Sequence, residues 1–113
     1  MQDPDKIKIR DQVEAILRDF PLARNNDTRL WINFLKRYYP RTFDGFGNII
    51  PDRLFEAPRE GHTTRIRAII QNKEKKYLPT KWEVAEKRGI NEIDWRTYIK
   101  NEKPEIKDQL SLC

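Results

Sequence analysis

The chain has 113 residues, the size of one domain. Hydrophobic residues make up 37% and charged residues 36%, against usual shares of about 45–50% and about 25%, so no run approaches the ~20 apolar residues of a membrane span; the 11% of aromatics excludes a disordered chain. The net charge is +5, and residues 59–88 hold 9 basic against 4 acidic residues, an excess that points to an anionic partner, most often nucleic acid, with a merely solvated surface as the plain alternative.

The start, Met1 to Asp5, is polar, and no apolar run with small residues marks a signal peptide; an intracellular location is expected, in the cytoplasm or nucleoid. Asp3 and Pro4 suit a helix cap and first helical position, and Ile9, Val13, Ile16, Leu17 and Phe20 then share one helical face up to Pro21. After Asn25-Asn26-Asp27, a cluster of capping residues, Leu30, Trp31, Phe34, Leu35 and Tyr38 repeat that spacing until Pro40. Two helices on a short link read as a hairpin over 4–39.

Residues 40–62 hold Pro40, Gly45, Gly47, Pro51, Pro58 and Gly61, with Phe43, Phe46, Ile49 and Ile50 in no sustained period. They read as a long loop that packs its aromatics on the core, with a short helix at 51–57 or a small hairpin around 44–48 inside it. A basic helix is expected from Thr63 or Thr64 to Tyr77, with Ile66, Ile69, Ile70 and Tyr77 on its apolar face. Thr80 and Glu83 have capping-box spacing ahead of a helix from about Lys81 to Arg88, which Gly89 stops. A last helix carries Ile93, Trp95, Tyr98 and Ile99 and fades by Pro104, leaving a tail over 101–113. The fold class is thus all-α, one domain of about five helices.

The stretch Thr80–Lys100 meets the demands of a tight helix–turn–helix crossing. Ala85 is small where the second helix comes closest, Gly89 tolerates positive φ, Ile90 plugs the angle, and Val84, Trp95, Tyr98 and Ile99 bury the contact. On these residues the segment resembles the helix-turn-helix superfamily of DNA-binding domains. The resemblance covers about 20 residues, or about 40 with the preceding basic helix. It implies that the second helix enters the major groove, with Asn91, Glu92, Arg96, Thr97 and Lys100 near the bases by position. Arg65, Arg67, Lys73, Lys75 and Lys76, with Lys81, Lys87 and Arg88 beside them, would contact phosphates. Glu92 and Asp94 depart from that pattern: two carboxylates in the first turn suit the helix dipole but repel phosphates. A second resemblance spans most of the chain. Arg65 to Glu74, followed by Tyr77-Leu78-Pro79-Thr80, and the N-terminal helix pair with Pro21 and Ala23-Arg24-Asn25, are similar to segments of small phage and mobile-element proteins, which implies such an origin and no activity.

Chemistry of other kinds finds little footing. His62 is the only histidine and reads as a loop or capping residue, and Cys113 is the only cysteine, so neither a disulfide within the chain nor a cysteine metal site is expected. The carboxylates, among them Asp44, Asp52 and Asp94, lack metal-loop spacing, and Gly45-Phe46-Gly47 is not a phosphate loop. Trp31, Trp82 and Trp95 read as core, with Trp82 as a possible anchor; Tyr38-Tyr39 after Lys36-Arg37 could form an aromatic-basic patch. The reading is a non-enzymatic protein with no cofactor and no membrane, binding double-stranded DNA in a regulatory or accessory role, with a homodimer compatible. The alternative is a protein-interaction module, such as a viral factor that binds a host protein complex, acting in the host cytoplasm.

Overall fold

The structure, a computed structural model, describes residues 8–102. Most of these residues are helical, no strand occurs among them, and six α-helices stand in chain order, one more than the periodicity predicts. The start expected at Asp3-Pro4, the tail beyond Glu102 and Cys113 lie outside the described residues.

Helix α1 spans Ile9–Asp19 and buries Gln12, Val13, Ile16 and Leu17. A 3-10 turn at Pro21–Asn25 follows, because Pro21 cannot continue the ladder. Helix α2 spans Asp27–Tyr38; the Asn26 side-chain oxygen accepts from the Arg29 N–H at 3.0 Å, and Leu30, Phe34 and Leu35 face inward. The two helices pack on each other, and a later helix, α4 (Glu60–Ala68), packs on both. Val13, Ile16, Leu17, Leu30, Phe34, Leu35 and Ile70 are all fully buried, with Ala23 and Ala57 close behind, and form the main core.

The region expected as a loop is built. Pro40–Thr42 makes a 3-10 turn, Phe43 and Ile49 form an antiparallel bridge, and α3 spans Pro51–Leu54, so the short helix and the small hairpin are both present. Trp31 fastens the segment by donating its indole N–H to the Pro58 carbonyl at 2.9 Å. Phe43 packs on the core, whereas Phe46 at the hairpin tip is 92% exposed, because the turn carries it past any neighbour.

Helix α4 spans Glu60–Ala68, starting ahead of the predicted Thr63 or Thr64; Thr63 is buried and donates its hydroxyl to the Glu60 carbonyl at 2.8 Å. The helix loosens into a π-helical turn at Ile69–Lys73 and ends there, not at Tyr77. The backbone of Lys75 and Tyr77 turns left-handed, with φ of 56° and 49°. This departure from helix is held by tertiary bonds: Gln71 donates to the Tyr77 carbonyl at 2.8 Å, and the Tyr77 N–H donates to the Tyr98 hydroxyl at 2.8 Å. Ile69, predicted on the apolar face, is 43% exposed as a result of the changed helical phase.

Helix α5 spans Trp82–Lys87 and α6 spans Glu92–Lys100. They pack on each other around a second small core of Leu78, Ala85 and Ile90, flanked by Trp82, Trp95 and Tyr98. The capping box does not form. Thr80 is buried, and its hydroxyl accepts from the Asn25 side-chain amide at 2.6 Å, while the Asn25 oxygen accepts from the Thr80 and Lys81 N–H groups at 2.8 and 3.3 Å. A residue far off in the sequence has taken the place of the local cap.

Candidate nucleic-acid interface

The α5–α6 turn has the geometry that its sequence demands. The Gly89 N–H donates to the Glu86 carbonyl and the Ile90 N–H to the Ala85 carbonyl, both at 3.0 Å, which is the double closure of a glycine-stopped helix. Gly89 sits at φ 75°, where a side chain would strain the backbone. Ala85 is fully buried and Ile90 nearly so, so the small residue and the plug meet as expected. Trp95 packs against Trp82 at 5.5 Å between ring centres and donates its indole N–H to the Pro79 carbonyl at 2.7 Å.

Helix α6 opens on Asn91, whose side-chain oxygen accepts from the Ile93 and Asp94 N–H groups at 2.8 and 3.2 Å. Asn91 is therefore the cap, and the Asp94 carboxylate meets the Lys75 ammonium at 3.0 Å. The outer face of α6 presents Ile93, Arg96, Thr97 and Lys100, all exposed. Ile93 is 73% exposed, because steps of three and four place it with Arg96 and Thr97 and away from Trp95 and Tyr98. Glu92 holds Arg96 across one turn at 3.0 Å, a surface pair whose worth is only about 0–1 kcal/mol and which a phosphate can displace.

Of the cations expected to meet phosphates, Arg65, Lys73, Lys75, Lys76, Lys81 and Lys87 are exposed. Two others are not. Arg67 is 6% exposed and grips Asp27 with two hydrogen bonds of 2.9 and 3.2 Å. Arg88 reaches inward to the Arg24 carbonyl and to the Gln71 side-chain oxygen at 3.0 Å, and lies 3.6 Å from Asp27. Burial and the neighbouring charge of Arg67 push Arg88 down to about 10, against the pull of Asp27. Both arginines serve the interior, because Asp27, half-buried at the start of α2, offers them a carboxylate. Their exclusion from a surface patch is legible only in three dimensions.

The same interior holds residues that spacing did not single out. Arg24 is 1% exposed, donates to the Leu17 carbonyl at 2.7 Å and to Glu102 at 2.5 Å, and lies over the Tyr77 ring. Burial pushes the Tyr98 phenol up to about 12. With Asn25 and Asp27, Arg24 forms a polar clasp between the two cores. The one advance signal was the run of polar residues at 24–27, which also reads as a set of caps.

The remaining candidates resolve simply. His62 is exposed within α4, and Tyr38 and Tyr39 both lie within 6 Å of Phe34, centre to centre, so the two rings are half-buried against the core while Lys36 and Arg37 stay exposed. Among the described residues, no group of three His, Cys, Asp or Glu could hold a metal ion, and no helix is long and apolar enough to cross a membrane. Comparison of the chain with known protein families, curated proteins and solved structures finds no match in any of the three.

Proposed function

We propose that this chain binds duplex DNA in a regulatory or accessory role, and that it is of phage or mobile-element origin. The observation that carries the reading is the outer face of α6, on which Ile93, Arg96, Thr97 and Lys100 stand exposed behind a capped N-terminus and a tight glycine turn. Arg65, Lys73, Lys76, Lys81 and Lys87 supply exposed positive charge, the last two on α5 and its cap, which pack on α6. Such charge binds the DNA backbone with little regard to sequence, while a helix face of this kind supplies base contacts. Arg67 and Arg88 are outside this proposal, since they hold the fold.

The test is fluorescence anisotropy with a labelled random-sequence duplex at two salt concentrations. Between ~50 and ~200 mM salt, affinity should fall by roughly 10³ or more, reading on the order of six phosphate contacts. The triple change Lys73→Glu, Lys76→Glu and Lys81→Glu should abolish binding and leave helicity intact. Absence of binding at the lower salt, or a triple variant with unchanged affinity, overturns the reading. A second reading, a non-enzymatic module that docks on a host or viral protein, is favoured by Phe46 and Phe55, which are 92% and 86% exposed. It predicts that Phe46→Ala removes a protein partner and leaves any duplex binding unchanged.

A further inference from the structure

The turn that ends the basic segment is fastened to α6, and the fastening uses one of its cations. Glu74 caps the π-helical turn, and the Lys76 N–H reaches back to the Ile70 carbonyl at 3.1 Å. Lys75 lies between them at φ 56°, where helices commonly end on a glycine because a side chain is strained there. Lysine stands here instead, and its ammonium meets the Asp94 carboxylate at 3.0 Å. One helical turn further along α6, the Tyr98 hydroxyl accepts from the Tyr77 N–H at 2.8 Å, with Tyr77 also left-handed at φ 49°. Asp94 and Tyr98 thus share the face of α6 that is turned to residues 75–77, and Arg96, Thr97 and Lys100 remain exposed. Asp94 joins the Asn91 cap through its N–H, which leaves its carboxylate to Lys75.

A lysine strengthens duplex binding by releasing a counterion from a phosphate, and a carboxylate that holds the lysine competes with that exchange. The Lys75 and Asp94 side chains are 61% and 38% exposed, so an incoming phosphate can reach the pair, and a contact this exposed is readily exchanged. Two open clefts of about 360 and 350 Å³ flank it, each bordered by both residues. We propose that Asp94 is an autoinhibitory counter-charge: it occupies Lys75 in the free protein and so holds down affinity for duplex of any sequence. A phosphate seated at Lys75 must first displace the carboxylate. The left-handed turn makes the contact a fixed one, because it sets the Lys75 backbone beside α6. This inference rests on the DNA reading and names a regulation of the same interface.

Fluorescence anisotropy on the full chain, with the labelled random-sequence duplex, tests this through a double-mutant cycle of Asp94→Asn and Lys75→Gln. Asp94→Asn should raise affinity about tenfold at ~50 mM salt and about fourfold at ~200 mM, steepening the salt dependence by about 0.9, the mark of one added phosphate contact. In the Lys75→Gln background the same substitution should change affinity by no more than about twofold, since an exposed charge acting only at a distance is screened. Helicity by circular dichroism should be unchanged, because the Asn91 cap uses backbone N–H groups that Asp94→Asn leaves in place. An equal gain with and without Lys75 would mean that Asp94 merely repels phosphate, and overturns the proposal. No gain beside a wild type that binds overturns it too and leaves the DNA reading standing. Absence of binding by every variant at the lower salt overturns the DNA reading and this proposal with it.

Discussion

The two cores of this molecule are held by different physics. The first gathers nine buried apolar side chains from α1, α2, the 21–25 turn, Ala57 and Ile70. The second has three, Leu78, Ala85 and Ile90, and leans on half-buried aromatics. Hydrophobic stabilisation scales with apolar area removed from water, so the first core has most of it and the second falls short. The second is completed by polar bonds from the first: Arg24 to Glu102, Asn25 to Thr80, and Asp27, which also holds Arg67, to Arg88. Apolar burial tolerates small shifts, whereas buried polar contacts are lost outright when one partner goes. The C-terminal unit, which carries the candidate interface, is therefore the part whose order depends on a few atoms.

Breaking the first core should have the largest effect. Phe34 is fully buried and meets both Tyr38 and Tyr39, so Phe34→Ala should destabilise the whole chain by about 3–5 kcal/mol, read from urea unfolding. Equal loss in α1 and α6 signals by any probe would show one cooperative unit. Next comes the clasp. Asp27→Ala leaves Arg67 and Arg88 facing each other without their carboxylate; the Asp27 side chain is 31% exposed, so the cost is about 2–3 kcal/mol, below the ~3–5 of a wholly buried pair. Amide hydrogen exchange should place that cost on one side: Ile90 and Trp95 should exchange faster in Asp27→Ala, with Ile16 and Phe34 less affected. Uniform acceleration would mean that the two cores do not open separately.

Within the C-terminal unit, Gly89→Val imposes a β-branched side chain on φ 75° and should cost about 1–2 kcal/mol, seen as a lower Tm. An unchanged melt would mean that the glycine turn is not formed. The smallest effect is alkaline. The Tyr98 phenol is held to about 12 by burial, whereas an unfolded tyrosine ionises near 10.0. Its contribution to stability is thus complete below the lower value and lost as pH rises through the upper one. Tyr98→Phe should flatten the decline over that window and remove the last phenolate absorbance. The opposite shift of Arg88 is common to both chains and cancels in the comparison.

Much of the architecture was legible from periodicity and turn chemistry. The faces of α1 and α2, the Pro40 stop, the Gly89 turn and the Ala85–Ile90 contact all follow from short-range rules, because each depends on residues within about two helical turns. The 43–49 hairpin and α3 were visible as alternatives within a stretch of glycines and prolines. Where local rules failed, a distant group had won. Thr80 surrendered its cap to Asn25, and the helix predicted to Tyr77 ended at Lys73 because Gln71 and Tyr98 claimed the Tyr77 backbone.

The candidate interface divides in the same way. Residue type and spacing determined that α6 carries Arg96, Thr97 and Lys100 on one face, since helical phase depends on sequence position alone. They could not say which arginines face water. Arg65 and Arg67 differ by two positions on one helix, yet the first is exposed and the second is sealed against Asp27. A guanidinium goes inward only where the packed chain brings a carboxylate and carbonyls to meet it, and that meeting is made by tertiary contacts 40 and 64 residues long. The sequence alone settled the helical class and the phase of α1, α2 and α6; the packed chain shifted the phase after Ala68 and decided which charges remain free to act.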